Sequence, residues 1–474
     1  MNRSRISSIG YLGLGLTAFL VVGACGPPSG QVDAGKGVAQ NQPVQPLSAN
    51  DVSILFPAPT TAADLNKLIA VADITTPNAQ DPNKGDPVWP ADAFQQFLAI
   101  ADGAFSQVAG TQNRIGLPAE AQSVAAWFVS GIRIDAGAPG LSADVRGQFG
   151  QLPQIRLIIQ PITRAADGSP RVLDIAGHLI FDFVTATPDP PAQPDCLERQ
   201  SPDSAAFHSV VLDLLALRDK FRNGLPGINK VDTSGLPLGV HPGLLDPTTA
   251  TNLRGELLSF LEKHISGQRL DAMAIAGLPA GAPAPWIFLS MVKVRGGIVP
   301  ALPNGGFIPV HGPTLDGNQQ LAQLLQPFGT NPRVVPDPHT NNLNPITCKN
   351  AAVSPSSLPI ANRNGVATAE LFAPTPPSAD RIQQILDVIP DPTKSHFFNT
   401  DCVSCHTETR RVMDLQNVKD IPGINSANLP NGQWNIRNFG WSPSGKGVQP
   451  TVTRRTANET AAVVAFINAE LLTK

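Results

Sequence analysis

Charge is scarce in this chain. Only 15% of its 474 residues are Asp, Glu, Lys or Arg, against about 25% in an ordinary soluble protein. The formal net charge is -3, and no basic run is longer than Arg410-Arg411 or Arg454-Arg455. Nucleic acid binding needs a basic face, so nucleic acid is excluded as an expected partner. The chain also lacks a GxGxxG, a Walker pattern, a GxSxG and any internal repeat, which removes the usual signatures of dinucleotide, nucleotide and serine-hydrolase chemistry. What it has in excess is 47 Pro and 41 Gly, the composition of a chain rich in loops. At this length two or three cores are affordable.

One stretch carries strong chemical information. Asp401-Cys402-Val403-Ser404-Cys405-His406 contains CxxCH, the attachment pattern for haem c. Its two thiols, three residues apart, add to the two vinyl groups of one haem, and the following His ligates the iron. With five Cys and eight His in the chain, a chance match is expected roughly once in a thousand such sequences. Two other readings of the motif are a thioredoxin-like redox pair and a zinc site. The first needs a CxxC opening a helix within a βαβ unit, whereas Pro390, Pro392 and Phe397-Phe398 precede this one. The second needs four ligands, and only His396 is near enough to complete the set.

The N-terminus indicates export. Arg3 and Arg5 precede an apolar run from Ile6 to Val22, as in a secretory signal. Val22-Gly23-Ala24-Cys25 resembles the bacterial lipobox, and the resemblance implies that Cys25 is lipidated and becomes the mature N-terminus. An ordinary signal peptide or a membrane anchor is the alternative. Gly26 stands where an Asp would commonly retain such a lipoprotein at the inner membrane, so the outer membrane is the expected destination. Haem takes Cys402 and Cys405 and lipid takes Cys25, leaving Cys196 and Cys348. In an oxidising compartment these two are expected as a disulfide, with two buried free thiols as the alternative.

The chain then divides by composition. After the signal (1–24), residues 25–50 are rich in Pro, Gly, Gln and Ser and read as a flexible tether. Residues 51–326 read as an α+β body. Helical spacing begins at Leu65 and recurs at Phe94, Phe97 and Leu98; strands are expected over Trp127–Ile134, Gln154–Ile162 and Val172–Val184, in one antiparallel sheet. Helices follow over Asp203–Asn223 and Thr248–Ile265, strands over Trp286–Val294 and Phe307–Val310, and a short helix over Gln319–Leu325. Residues 327–377, dense in Pro and Asn, read as a linker or strap.

The last segment, 378–474, opens on a helix capped by Ser378 and ends on one capped by Thr456 or Asn458. Between them lie the CxxCH and the aromatics Trp434, Phe439 and Trp441. This order resembles a small class I cytochrome c domain, motif-deep at Cys402, Cys405 and His406 and architectural elsewhere. The resemblance implies a mostly α fold, one covalent haem c and His406 as an iron ligand. It fails in one respect, because the loop before the terminal helix holds no Met for the far side of the iron. His396, six residues before Cys402, and Met413 are the candidates; an open position is the third possibility.

The expected protein is therefore multidomain, an α+β body with an antiparallel sheet plus a small cytochrome c-like domain. The expected function is electron transfer at the cell envelope by a lipid-anchored monohaem c-type cytochrome, with a redox protein or a small-molecule donor or acceptor as partner. A peroxidase- or oxidase-like haem enzyme and a partner-binding surface lipoprotein with an accessory haem domain are the alternatives.

Overall fold

The computed structural model describes residues 45–473 apart from 79, 82–83, 103–104, 109–110, 114–116, 139, 143–145, 147–150, 186–201, 278–284, 296–304, 311–319, 324–377, 396–401, 431–436 and 445–446. In chain order the main elements are α1 (Ala49–Val52), β1 (Ser53–Leu55), α2 (Ala91–Asp102), β2 (Trp127–Ala138), β3 (Leu152–Arg164), β4 (Pro170–Val172), β5 (Ile175–Asp182), α3 (Ser204–Asn223), α4 (Ala250–His264), β6 (Leu270–Gly277), β7 (Pro285–Arg295), β8 (Gly305–Val310), β9 (Gln320–Gln323), α5 (Ala379–Val388), α6 (Cys402–Gln416), β10 (Phe439–Ser444), β11 (Gly447–Val452) and α7 (Arg454–Phe466).

Nine of the described strands form one antiparallel sheet in the order β1-β2-β3-β5-β6-β7-β8, with β4 added to β3 and β9 to β7. The expected α+β architecture around an antiparallel sheet is what the chain adopts. Alternation along the strands divides its side chains between two faces. The first face is aliphatic and aromatic. Val129, Ile132 and Ile134 of β2, Ile155, Leu157 and Ile159 of β3, Leu179 and Phe181 of β5, and Met273 and Ile275 of β6 are all buried in one cluster. Trp89 joins it with edge-on ring contacts to Phe94, Phe97 and Trp127. Helices α3 and α4 close the layer with Phe207, Val210, Leu214, Leu253, Leu257 and Leu261.

The second face is polar by composition, carrying Arg133, Asp135, Gln154, Arg156, Gln160 and His178. Such a face ordinarily meets water. Here the C-terminal segment covers part of it. The Phe439 ring lies over Gly131, where a Cβ would stand only 2.6 Å from it. Gln160, fully buried, brackets the backbone of Trp441: the Trp441 N–H donates to Oε1 at 2.6 Å and Nε2 donates to the Trp441 carbonyl at 2.8 Å. The indole N–H of Trp441 donates to the Phe56 carbonyl. From α7, Glu459 accepts from Arg133 at 2.9 Å, and the hydroxyls of Thr460 and Ser53 meet at 2.7 Å.

These contacts make Gln45–Lys474 one compact unit. The compositional boundary at 378 therefore coincides with no break between units; the terminal segment shares its interior with the sheet. Two local expectations are also corrected. The residues read as a short helix, Gln319–Leu325, supply strand β9, whose Gln320–Gln323 pair with Pro285–Phe288 of β7. The cap of α7 is Thr453, while Thr456 and Asn458 lie inside the helix and bond to the carbonyls of Asn438 and Pro390. The Ser378 cap of α5 is found as expected, accepting from the Arg381 N–H.

Candidate functional site

Cys402 is the first residue of α6, and its backbone is what the structure describes of it. Cys405 and His406 follow in the first turn, both half-buried. The helix is fixed from the side by charges that the sequence shows only as two short basic pairs. Arg454 donates from Nε to the wholly buried Glu408 at 2.7 Å, and its backbone N–H donates to Thr409 Oγ1 at 2.8 Å. Arg455 donates to the carbonyls of Ile389 and Ser395, beyond the end of α5. Burial pushes the Glu408 carboxyl up to about 7, against the opposing pull of Arg454. The first turn of α6 is thus anchored on a buried ionic frame spanning α5, α6 and α7.

Cys405 accepts a long contact from Asn438 Nδ2 at 3.8 Å. Burial pushes its thiol up to about 12, the guanidinium of Arg455 only partly offsetting this. At neutral pH it is a thiol and not a thiolate, which is the reverse of a catalytic redox cysteine. Among the described residues no group of three or more His, Cys, Asp and Glu is arranged to hold a metal ion.

Met413, one of the two candidates for the far iron ligand, lies seven residues beyond His406 on the same helix. Seven residues are almost two whole turns, so both side chains leave the same side of α6 about 10 Å apart along its axis. Met413 is partly buried against an apolar cluster containing Leu55, Ile158 and Ile421. His396 lies outside the described residues, as do Cys25, Cys196 and Cys348.

The sheet brings a residue to this site that sequence reading passed over as one of several scattered histidines. His178 sits in the middle of β5, opposite Ile158 of β3 on one side and Ala274 of β6 on the other, and so on the second face. Burial pushes its pKa down to about 3, with further lowering from the charges of Arg156, His406, Arg133 and Arg437. His178 and His406 therefore lie within electrostatic reach of each other, and His178 is a neutral imidazole at physiological pH. Unlike His208, His241 and His264, whose ring nitrogens bond to the Leu471 carbonyl, the Gly243 N–H and Asp213, His178 has no hydrogen-bond partner among the described residues. Period-two alternation alone would have aligned it with Arg156 and Arg133, but not with a helix more than 200 residues later.

Ile180, Ala272, Ala274 and Val292 are half-buried, as is His178 itself, whereas Gln154, Ile158 and Gln160, one strand over, are buried under the C-terminal segment. Helix α6 packs on β9. Comparison with family models, curated proteins and solved structures finds no match for this chain.

Proposed function

We propose that this protein is an exported, lipid-anchored monohaem c-type cytochrome that passes single electrons at the cell envelope. The observation that carries the reading is the CxxCH itself, with Cys405 and His406 half-buried in the first turn of a helix held on a buried ionic frame. The surroundings suit a group bearing two carboxylates. The guanidiniums of Arg133, Arg156 and Arg437 all act on His178, as His406 does. Cys402 and Cys405 would hold the porphyrin and His406 the iron. Each thiol adds across one vinyl group, sulfur to one carbon and the thiol hydrogen to the other, so attachment is redox-neutral. A protonated Cys405 suits this addition. Once bound, the haem supplies an iron that exchanges one electron at a time.

The partner is a redox protein or a small-molecule donor or acceptor. Anchoring through lipid on Cys25, with the outer membrane as destination, and a Cys196–Cys348 disulfide belong to the same proposal. Cys25→Ala is expected to move the protein from the membrane to the soluble fraction, and peptide masses without reduction should contain the cross-linked pair. The decisive experiment is alkaline pyridine treatment of protein matured with a cytochrome c assembly system. It should give the spectrum of a thioether-linked haem, at one haem per chain, and Cys402→Ala should abolish the double attachment. Absence of covalent haem in the wild type would falsify the reading.

A further inference from the structure

Independently of the haem reading, we infer that the cleft where α5, α6 and α7 meet is a binding site for a small aliphatic ammonium ion. Its walls are aliphatic, and its two carboxylates have oxygen atoms to spare.

The cleft has a volume of about 380 Å³, between the end of α5, the second half of α6, the start of α7 and the connection 417–422. That is the small end of the range for ligand sites, about 300–1,000 Å³. A protein partner needs a face of about 800 Å²; a space of this size takes a small molecule instead. Its walls are held in place. Arg454 Nη2 donates to the Leu386 carbonyl at 2.7 Å and Asn458 Nδ2 to the Pro390 carbonyl at 2.9 Å, tying α7 to the end of α5. The Leu238 N–H donates to the Gly423 carbonyl at 2.9 Å, which pins the connection just beyond Asp420 to the body. Pro390, Val412 and Ile421, all buried, offer aliphatic surface to a short hydrocarbon stem.

Charge decides the sign of the occupant. The charged residues of the cleft are Asp387, Asp420 and Arg454. Arg454 is already paired, its Nε donating to the buried Glu408 at 2.7 Å. Asp387 Oδ1 accepts from Gln383 Nε2 at 2.7 Å and stands 3.7 Å from Arg454 Nη2, which leaves Oδ2 without a partner among the described residues. Asp420 is exposed and has neither a hydrogen bond nor an ion pair among the described residues. With Glu408 set against Arg454, the two aspartates give the cleft its sign. A cation on an aliphatic stem suits both kinds of wall, whereas an anion would meet two carboxylates and a guanidinium already engaged.

The test uses the full chain and n-butylamine as probe, titrated by saturation-transfer NMR. The amine should bind saturably, and more weakly as salt is added, while n-butanol and butyrate should show no saturable binding. Asp420→Asn and Asp387→Asn should each weaken amine binding about two- to fivefold, the range of an exposed charge pair, and the double variant by about the product. Both residues are exposed, and Asn at 387 keeps the oxygen that accepts from Gln383, so these variants test charge and not folding. Gln416→Trp, at an exposed position of the cleft, should abolish binding by filling the space. Asp167→Asn, in the exposed turn between β3 and β4, should change nothing. Absence of saturable amine binding overturns the inference, as does butyrate binding as tightly as the amine. So does amine binding that persists unchanged in the double variant or in Gln416→Trp.

Discussion

Replacing Gln160 by Leu isolates the join between the sheet and the C-terminal segment. The side chain is fully buried and makes two hydrogen bonds of 2.6 and 2.8 Å to the backbone of Trp441. In the β10–β11 hairpin Trp441 stands opposite Pro450, which has no N–H to offer. Trp441 turns its polar backbone toward Gln160, so no partner within the hairpin replaces the lost amide. Leucine has nearly the same volume and introduces no cavity, which leaves polar desolvation as the main cost. Two net hydrogen bonds are worth about 1 kcal/mol each, and stranding a buried donor and acceptor adds about 1–3 kcal/mol per group. A destabilisation of about 3–5 kcal/mol follows, allowing for some relaxation. Urea unfolding should be followed by far-UV circular dichroism and by the near-UV signal of the tryptophans. Because Gln45–Lys474 is one compact unit, both probes should report one coincident transition, shifted together and with an unchanged m-value. Two separate transitions, or a loss below about 1 kcal/mol, would refute the reasoning.

Further predictions concern charge and close packing. For Glu459, burial alone would raise the carboxyl, but the guanidiniums of Arg455 and Arg133 outweigh it and hold the pKa at about 2, below the ordinary 4.5. A depressed carboxylate contributes stability that is complete above about 4.5 and disappears as pH falls toward 2, about 3 kcal/mol in all; Glu459→Gln should flatten that limb of a stability-versus-pH curve. Asp182 has the opposite sign. Burial and then the neighbouring Asp271 raise its pKa well above the usual carboxylate value, so it costs stability as pH rises above 3.8, and Asp182→Asn should raise the urea midpoint at pH 7. Gly131→Ala puts a Cβ 2.6 Å from the Phe439 ring and should cost about 1–3 kcal/mol, with Phe439→Leu in the same chain recovering part of the loss.

The long elements were legible because their signals are strong. Runs of β-branched and aromatic residues marked β2, β3 and β5, and β7 was placed as well, each within a few residues of its ends. The Ser378 cap could be read because Ser precedes an apolar 3.6 pattern directly. Short elements were not legible. Gln320–Gln323 holds too few residues for its period to distinguish helix from strand, and pairing with β7 decides the matter. Residues 439–452 contain Pro443 and Pro450, which argue against strand, yet they form a hairpin in which Pro443 stands opposite Val448 and Pro450 opposite Trp441. The site was half visible. CxxCH is a local pattern, but the covering of a polar sheet face by a segment distant in sequence is not. Arg133, Gly131 and Gln160 look like part of a solvated face until Glu459, Phe439 and Trp441 are placed over them.

The first described backbone of the compact unit and nearly its last are tied together. The Leu47 N–H donates to Asn468 Oδ1, and Asn468 Nδ2 donates back to the Leu47 carbonyl, each at 2.9 Å across 421 positions of chain. A chain that emerges N-terminus first must therefore hold β1, β2 and β3 with one side open until α7 and the turn after it have been delivered. Pairings this far apart in sequence are slow to form, and an open polar side tolerates the wait where an aliphatic one would aggregate. The polarity of the second face thus has a kinetic meaning as well as a structural one. It lets the sheet stand in water until the last helix is delivered and shuts the molecule.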